Sequence, residues 1–272
     1  MSKIYAVANQ KGGVGKTTTS VNLAASLGYF DERVLLIDLD PQGNATTGSG
    51  VDKVEVEWTG VDVLLGEVAI EQAIQKISGS SYDLLAANGD LTAAEVELFN
   101  EEDRLQRLST ILEPLSDTYS YILIDCPPTL NILTLNAFVA SNGVIVPLQC
   151  EYYALEGLTA LMQTMDRVRE TQNPALEVKG IVRTMYDARN RLSIEVSDQL
   201  LTHFGERVYE TVIPRNVKLA EAPSYGLPVL YYDKQSRGAK AYLALAGEIN
   251  RRYDHDPKRQ GEPGADVTGE QQ

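Results

Sequence analysis

The 272-residue chain is 43% hydrophobic with a formal net charge of −14 at pH 7, a composition normal for a globular protein able to bury a sizeable core. No run approaches the roughly 20 apolar residues of a membrane-crossing helix, and the start, Lys3-Ile-Tyr-Ala-Val-Ala, lacks the regions of a signal peptide, so a cytoplasmic protein without membrane attachment is expected. The charge does not exclude nucleic acid: residues 51–117 hold 15 acidic against 4 basic side chains, and charges farther apart than about 8 Å are largely screened, which frees a basic patch elsewhere to act alone.

In chain order, β-branched runs alternate with helical patterns. The first run, Ile4–Ala8, leads into N-Q-K-G-G-V-G-K-T-T-T, Asn9 to Thr19, and a helix over Thr17–Leu27. Gly12, Gly13, Val14 and Gly15 between a strand and a helix offer unhindered backbone N–H groups to phosphate oxygens at a helix end carrying about +0.5 charge. Lys16 can reach the β and γ phosphates and Thr17 can offer a hydroxyl to Mg²⁺, the roles of the Lys-Thr pair in phosphate loops. Thr18 follows in the helix. Gln10 stands where the usual loop has its first glycine, and Lys11 is an additional lysine.

The next runs end in carboxylates: Val34-Leu-Leu-Ile-Asp38-Leu-Asp40 and Tyr121-Ile-Leu-Ile-Asp125. In a parallel sheet such ends converge on the phosphate loop. Asp125 is placed to hold Mg²⁺ through a water. Asp40, on the same side of its strand as Asp38 and farther along, suits orienting or deprotonating an attacking water. Asp38 is read either as a further metal-shell acid or as a cap for the turn that follows.

Beyond Asp125 the pattern continues with a helix at Ile132–Ala140, a strand at Val144–Leu148, a helix at Leu155–Val168, a strand at Val178–Thr184, a helix at Ile194–Phe204, a strand at Val208–Ile213 and a helix at Ala239–Tyr253. Apolar strands without an apolar/polar period imply burial on both faces. The expected fold class is therefore α/β, a three-layer sandwich around a mostly parallel sheet. No internal linker is evident, so residues 1–254 read as one domain, and the breaker-rich 255–272 as a disordered polar tail. Cys126 and Cys150 each close an apolar run, which fits small buried residues better than metal ligands.

Five ordered blocks carry a family resemblance: K-G-G-V-G-K-T-T, D-L-D-P-Q-G-N-A-T at Asp38–Thr46, I-D-C-P-P at Ile124–Pro128, E-Y-Y-A-L-E-G at Glu151–Gly157 and V-I-P-R-N-V-K-L-A-E-A-P-S at Val212–Ser224. From about Lys3 to Tyr253 the chain resembles the ParA/Soj group of deviant Walker A ATPases, P-loop proteins that partition chromosomes and plasmids. The departures are Tyr29-Phe-Asp-Glu-Arg33 for a shorter turn, Thr129 for a common Ser and Lys218 for a frequent Arg. None touches the phosphate loop.

The resemblance implies ATP and Mg²⁺ as cofactors and a homodimer with ATP between the subunits, Lys11 crossing to the partner's nucleotide. It further implies that Pro214 and Asn216 border the adenine, that Arg189, Lys218 and neighbouring Arg215 contact DNA phosphates without sequence preference, and that a ParB-type centromere-bound protein stimulates slow hydrolysis of a nucleoid-associated protein. Of the segments 1–50, 51–117, 118–182, 183–218 and 219–272, only 183–218 holds more basic than acidic side chains, 6 against 5. Competing readings lack their signatures. A dinucleotide fold would want glycine at Thr18, a membrane-bound relative an apolar face after Tyr253, an iron–sulfur carrier a C-x-x-C, and a tyrosine autokinase a tyrosine-rich tail. A small-molecule ligase using the same loop is the alternative from another class.

Overall fold

The computed structural model describes residues 2–77 and 79–254; the tail expected at 255–272 lies outside the described residues. One eight-stranded sheet has the order β3-β4-β2-β5-β1-β6-β7-β8. Its strands are β1 (Lys3–Val7), β2 (Val34–Asp38), β3 (Ile74–Lys76), β4 (Asp83–Leu85), β5 (Tyr121–Asp125), β6 (Gly143–Gln149), β7 (Glu177–Tyr186) and β8 (Val208–Pro214). Every neighbouring pair is parallel except β3 with β4.

Alternation along the buried strands sends side chains into two cores. On β2, Leu35 and Ile37 face a core built with Leu133, Phe138, Leu158 and Leu161. Val34 and Leu36 face the other, with Leu23, Leu27, Tyr242 and Leu245. The first core is roofed by helices Ile132–Ala140 and Ala154–Thr171, the second by α1 (Lys16–Tyr29) and the C-terminal helix Arg237–Asp254. This is the expected three-layer sandwich. Full burial of all five residues of both β2 and β5 explains why neither shows a polar period.

Sequence periodicity misses β3 and β4 and the short helices between residues 51 and 117, because three-residue strands carry too few side chains to show a period. The β8 end of the sheet is closed by the C-terminal helix. Glu248, 4% exposed, accepts hydrogen bonds from the backbone N–H of Glu210 at 2.8 Å and Thr211 at 3.0 Å and from Arg252 at 2.7 Å. Among the described residues no helix is long and apolar enough to cross a membrane. Both cysteines are free and buried.

Candidate nucleotide site

The loop after β1 is fastened to two strand ends. Asn9 Nδ2 donates to the Pro147 carbonyl at 2.8 Å, Asn9 Oδ1 accepts from Lys11 N at 3.0 Å, and Thr184 Oγ1 donates to the Val14 carbonyl at 2.7 Å. Gly13 and Gly15 adopt φ of 74° and 89°, a region that glycine enters without the Cβ strain of other residues. Above Gly12 and Gly13 a Cβ would meet nothing within 4 Å. α1 starts with no side-chain cap and no acid in its first turn, so its orphan N–H groups and dipole are left for an anion.

Lys16 lies at this mouth, 7% exposed, its Nζ donating to the Lys11 carbonyl at 3.2 Å. Burial lowers its pKa, and the nearby charges of Asp125 and Asp40 resist that shift. Asp38 and Asp125 are register partners across β2 and β5. Burial first, and the Asp38 charge second, push Asp125 up to about 8. Its Oδ1 accepts from Ser20 Oγ at 2.8 Å, while its buried Oδ2 has no hydrogen-bond partner. Thr17's side chain lies beside the same carboxyl. A buried carboxyl oxygen without a donor is costly, and such an oxygen is chemically suited to a hydrated divalent cation.

Asp38 has different surroundings. Oδ1 accepts from Asp40 N at 3.1 Å, and Oδ2 accepts from both Thr46 N and Thr46 Oγ1 at 2.8 Å. Of its two sequence readings, this geometry matches the turn cap. Burial raises it to about 6 despite these bonds. Asp40, 8% exposed, accepts from Gln42 N at 2.9 Å through Oδ1.

Lys11 has an acidic partner within its own subunit. Its Nζ forms an ion pair with Glu151 Oε2 at 2.5 Å, with side chains 39% and 44% exposed. The E-Y-Y-A-L-E-G block contained this partner, but periodicity does not announce a contact 140 residues away.

Pro214, Asn216, Thr18 and Gly15 line one cleft of about 230 Å³, together with Ile213 and Tyr242. Asn216 Oδ1 caps the helix Val217–Glu221 by accepting from Lys218 N at 3.0 Å. Arg215, singled out for DNA, borders the same cleft, as does Met185, held at a φ of 49°. The other two DNA candidates carry acids of their own. Arg189 is clamped on Asp187 through Nε at 3.0 Å and Nη2 at 2.9 Å, and Lys218 donates to Glu221 at 2.8 Å. Arg183, counted in the basic segment, is 7% exposed and donates to Ser197 Oγ and the carbonyls of Tyr209 and Glu210.

A family model described as an AAA domain matches residues 2–178. Chromosome partitioning protein ParA of Caulobacter vibrioides (strain NA1000 / CB15N) is 51% identical over 259 residues, which are 94% of this chain and 97% of the relative. The chain belongs to the ParA/Soj family of partitioning ATPases. Sporulation initiation inhibitor protein Soj of Bacillus subtilis (strain 168) is 49% identical over 249 residues, 92% of this chain and 98% of Soj. A solved structure of cobyrinic acid a,c-diamide synthase from Mycobacterium smegmatis, with bound ATP analog and magnesium, superposes with a TM-score of 0.82 at 36% identity, covering 94% of this chain and 97% of that one. Like other ParA/Soj proteins, this one is an ATPase that uses ATP and Mg²⁺, and the glycine loop, Lys16 and the orphaned Asp125 oxygen are chemically suited to both.

Proposed function

We propose that this ParA/Soj ATPase is a nucleotide-gated switch for DNA segregation, in which ATP is clamped between two copies of the chain and the pair binds duplex DNA without sequence preference. The observation that carries the reading is Lys11: a partly exposed cation on the rim of the phosphate loop whose charged partner among the described residues is the similarly exposed Glu151. An exposed pair of this kind contributes about 0–1 kcal/mol, so a triphosphate carried by a second subunit competes for Lys11 at small cost.

Within one subunit the backbone N–H groups of Gly12 to Thr18 and the ammonium of Lys16 bind the phosphates, and Pro214 and Asn216 border the base. Thr17 and Asp125 would hold the magnesium ion, which would neutralise phosphate charge. Asp40 orients the attacking water and takes its proton. Hydrolysis is slow because the developing charge is only partly met by one chain, and a ParB-type, centromere-bound protein accelerates it and releases the DNA.

Arg189, Arg215 and Lys218 serve as phosphate contacts, with Asp187 and Glu221 weakening two of them. A single subunit therefore binds DNA poorly, and dimerisation doubles the contacts, so nucleotide state gates binding through avidity. The test is sedimentation and DNA binding with ATP and with ADP, alongside ATP hydrolysis with and without DNA and a candidate partner. Binding that is equal with ADP, or strongly sequence-dependent, refutes the reading.

The likeness to the M. smegmatis synthase keeps a second reading in view, a small-molecule ligase on the same loop. ATP turnover stimulated by cobyrinic acid and indifferent to DNA would establish it.

A further inference from the structure

We propose that Thr46 is a positioning residue for hydrolysis, acting through Asp38 to fix the loop that carries Asp40, and that Asp38 is the brace in this arrangement and not a metal ligand. The inference deepens the proposed function and rests on Asp40 serving the attacking water.

Thr46 is fully buried at the start of α2 (Asn44–Gly48) and forms three hydrogen bonds with two atoms. Its N–H and its hydroxyl both donate to Asp38 Oδ2 at 2.8 Å, and the same hydroxyl oxygen accepts from Ala87 N at 2.9 Å. The other oxygen of Asp38 accepts from Asp40 N at 3.1 Å. Asp40 then closes its own turn, with Oδ1 on Gln42 N at 2.9 Å and its carbonyl on Gly43 N at 2.8 Å. A continuous line of bonds therefore runs from the chain just past β4 through Thr46 and Asp38 to the backbone of Asp40.

The donors are chosen for an ionised carboxylate whose oxygens are already engaged. Asp125, one strand away, is less engaged: Oδ1 accepts from Ser20 Oγ, Thr17's side chain lies beside the carboxyl, and Oδ2 has no hydrogen-bond partner among the described residues. The two register partners thus divide the work, one carboxylate tied to the protein and the other open to a cation. Thr46 is suited to its part because only a hydroxyl donates to Asp38 and accepts from Ala87 at once. Valine keeps the shape and removes both bonds.

The experiment compares Thr46→Val, Thr46→Ser and Asp38→Asn with the unmodified protein and with Asp40→Ala. It measures kcat, KM and the binding of a fluorescent ATP analogue over a range of Mg²⁺ concentrations, with thermal melts to confirm folding. Misplacing a reacting group by about 1 Å costs on the order of a hundredfold in rate. Thr46→Val is therefore expected to lose about ten- to a hundredfold in kcat with KM and nucleotide affinity nearly unchanged, and Thr46→Ser to recover most of that rate. Asp38→Asn, which places an NH₂ group against the donors of Thr46 or Asp40, is expected to lose kcat without needing more Mg²⁺ for nucleotide binding.

Thr46→Val at the unmodified kcat, or losing ATP affinity in step with kcat, overturns the proposal. So does an Asp38→Asn protein that binds the analogue only at raised Mg²⁺, which would make Asp38 a ligand. If Thr46→Val does not fold, Asp38→Asn and the serine variant decide. Full hydrolysis by Asp40→Ala instead defeats the underlying assignment of Asp40, whereas an inactive Asp40→Ala beside a fully active Thr46→Val defeats this inference alone.

Discussion

Asp38 and Asp125 end adjacent parallel strands in the same register, both fully buried, and only one of them has both oxygens engaged by the protein. The consequence is that, if Asp125 holds magnesium as proposed, the cation competes there with a proton. Burial first, and the Asp38 charge second, hold the Asp125 carboxyl well above the usual carboxylate range, so a cation taken up there would compete with a proton. Binding of MgATP is expected to release protons, seen as a calorimetric enthalpy that varies with the ionisation enthalpy of the buffer. Because the carboxyl is raised and not lowered, the release should shrink as the pH rises. Asp125→Asn should remove it at every pH.

Lys11→Ala separates nucleotide binding from assembly. Because the Lys11–Glu151 pair is exposed, its loss should change stability by no more than about 1 kcal/mol. ATP should still bind through Lys16 and the loop, while the ATP-dependent dimer disappears from sedimentation profiles. Dimers of normal stability would refute the crossing role of Lys11.

The DNA candidates differ in their neighbours, and salt dependence reads the difference. Arg215→Ala should lower affinity for arbitrary duplexes and flatten the plot of log K against log salt by about 2, roughly 0.9 for each of two phosphate contacts in a dimer. Arg189→Ala also frees Asp187 to repel the backbone, so its loss should exceed that of Arg215→Ala at low salt. A slope unchanged in both variants would remove these residues from the interface.

Glu248 links the C-terminal helix to β8, and acid should undo the link. Burial works against its ionised form, but the backbone of Thr211 and Glu210 and the charge of Arg252 prevail, leaving the carboxyl below its ordinary 4.5. A depressed acid stabilises fully above that ordinary value and loses its contribution as pH falls through the lowered one. Glu248→Gln should cost about 1.5–3 kcal/mol near neutral pH, with the gap in melting temperature closing as the pH falls below 4.5.

The phosphate loop, the strand-end carboxylates and the sandwich were all legible in the sequence because each depends on local order: glycines between strand and helix, an acid after an apolar run, strands without a polar period. What sequence did not supply was partnership. The sequence allowed Asp38 to cap the turn that follows but did not name Thr46, eight residues on, as the donor, and nothing in the order of residues joins Lys11 to Glu151, 140 residues away. The basic segment was legible as composition only. Burial of Arg183 and the acids beside Arg189 and Lys218 emerge once β7 and β8 are laid side by side.

The clasp of Glu248 on β8 bears on how copies of this protein can meet. A bare outer strand is a template for another chain's strand, and here two of its amides are already occupied by a carboxylate while a helix stands over it. At the opposite border β3 offers only three residues. The sheet margins therefore give little purchase for growth from molecule to molecule, which leaves the loop-bearing rim as the surface on which the proposed nucleotide-dependent pairing would have to be built.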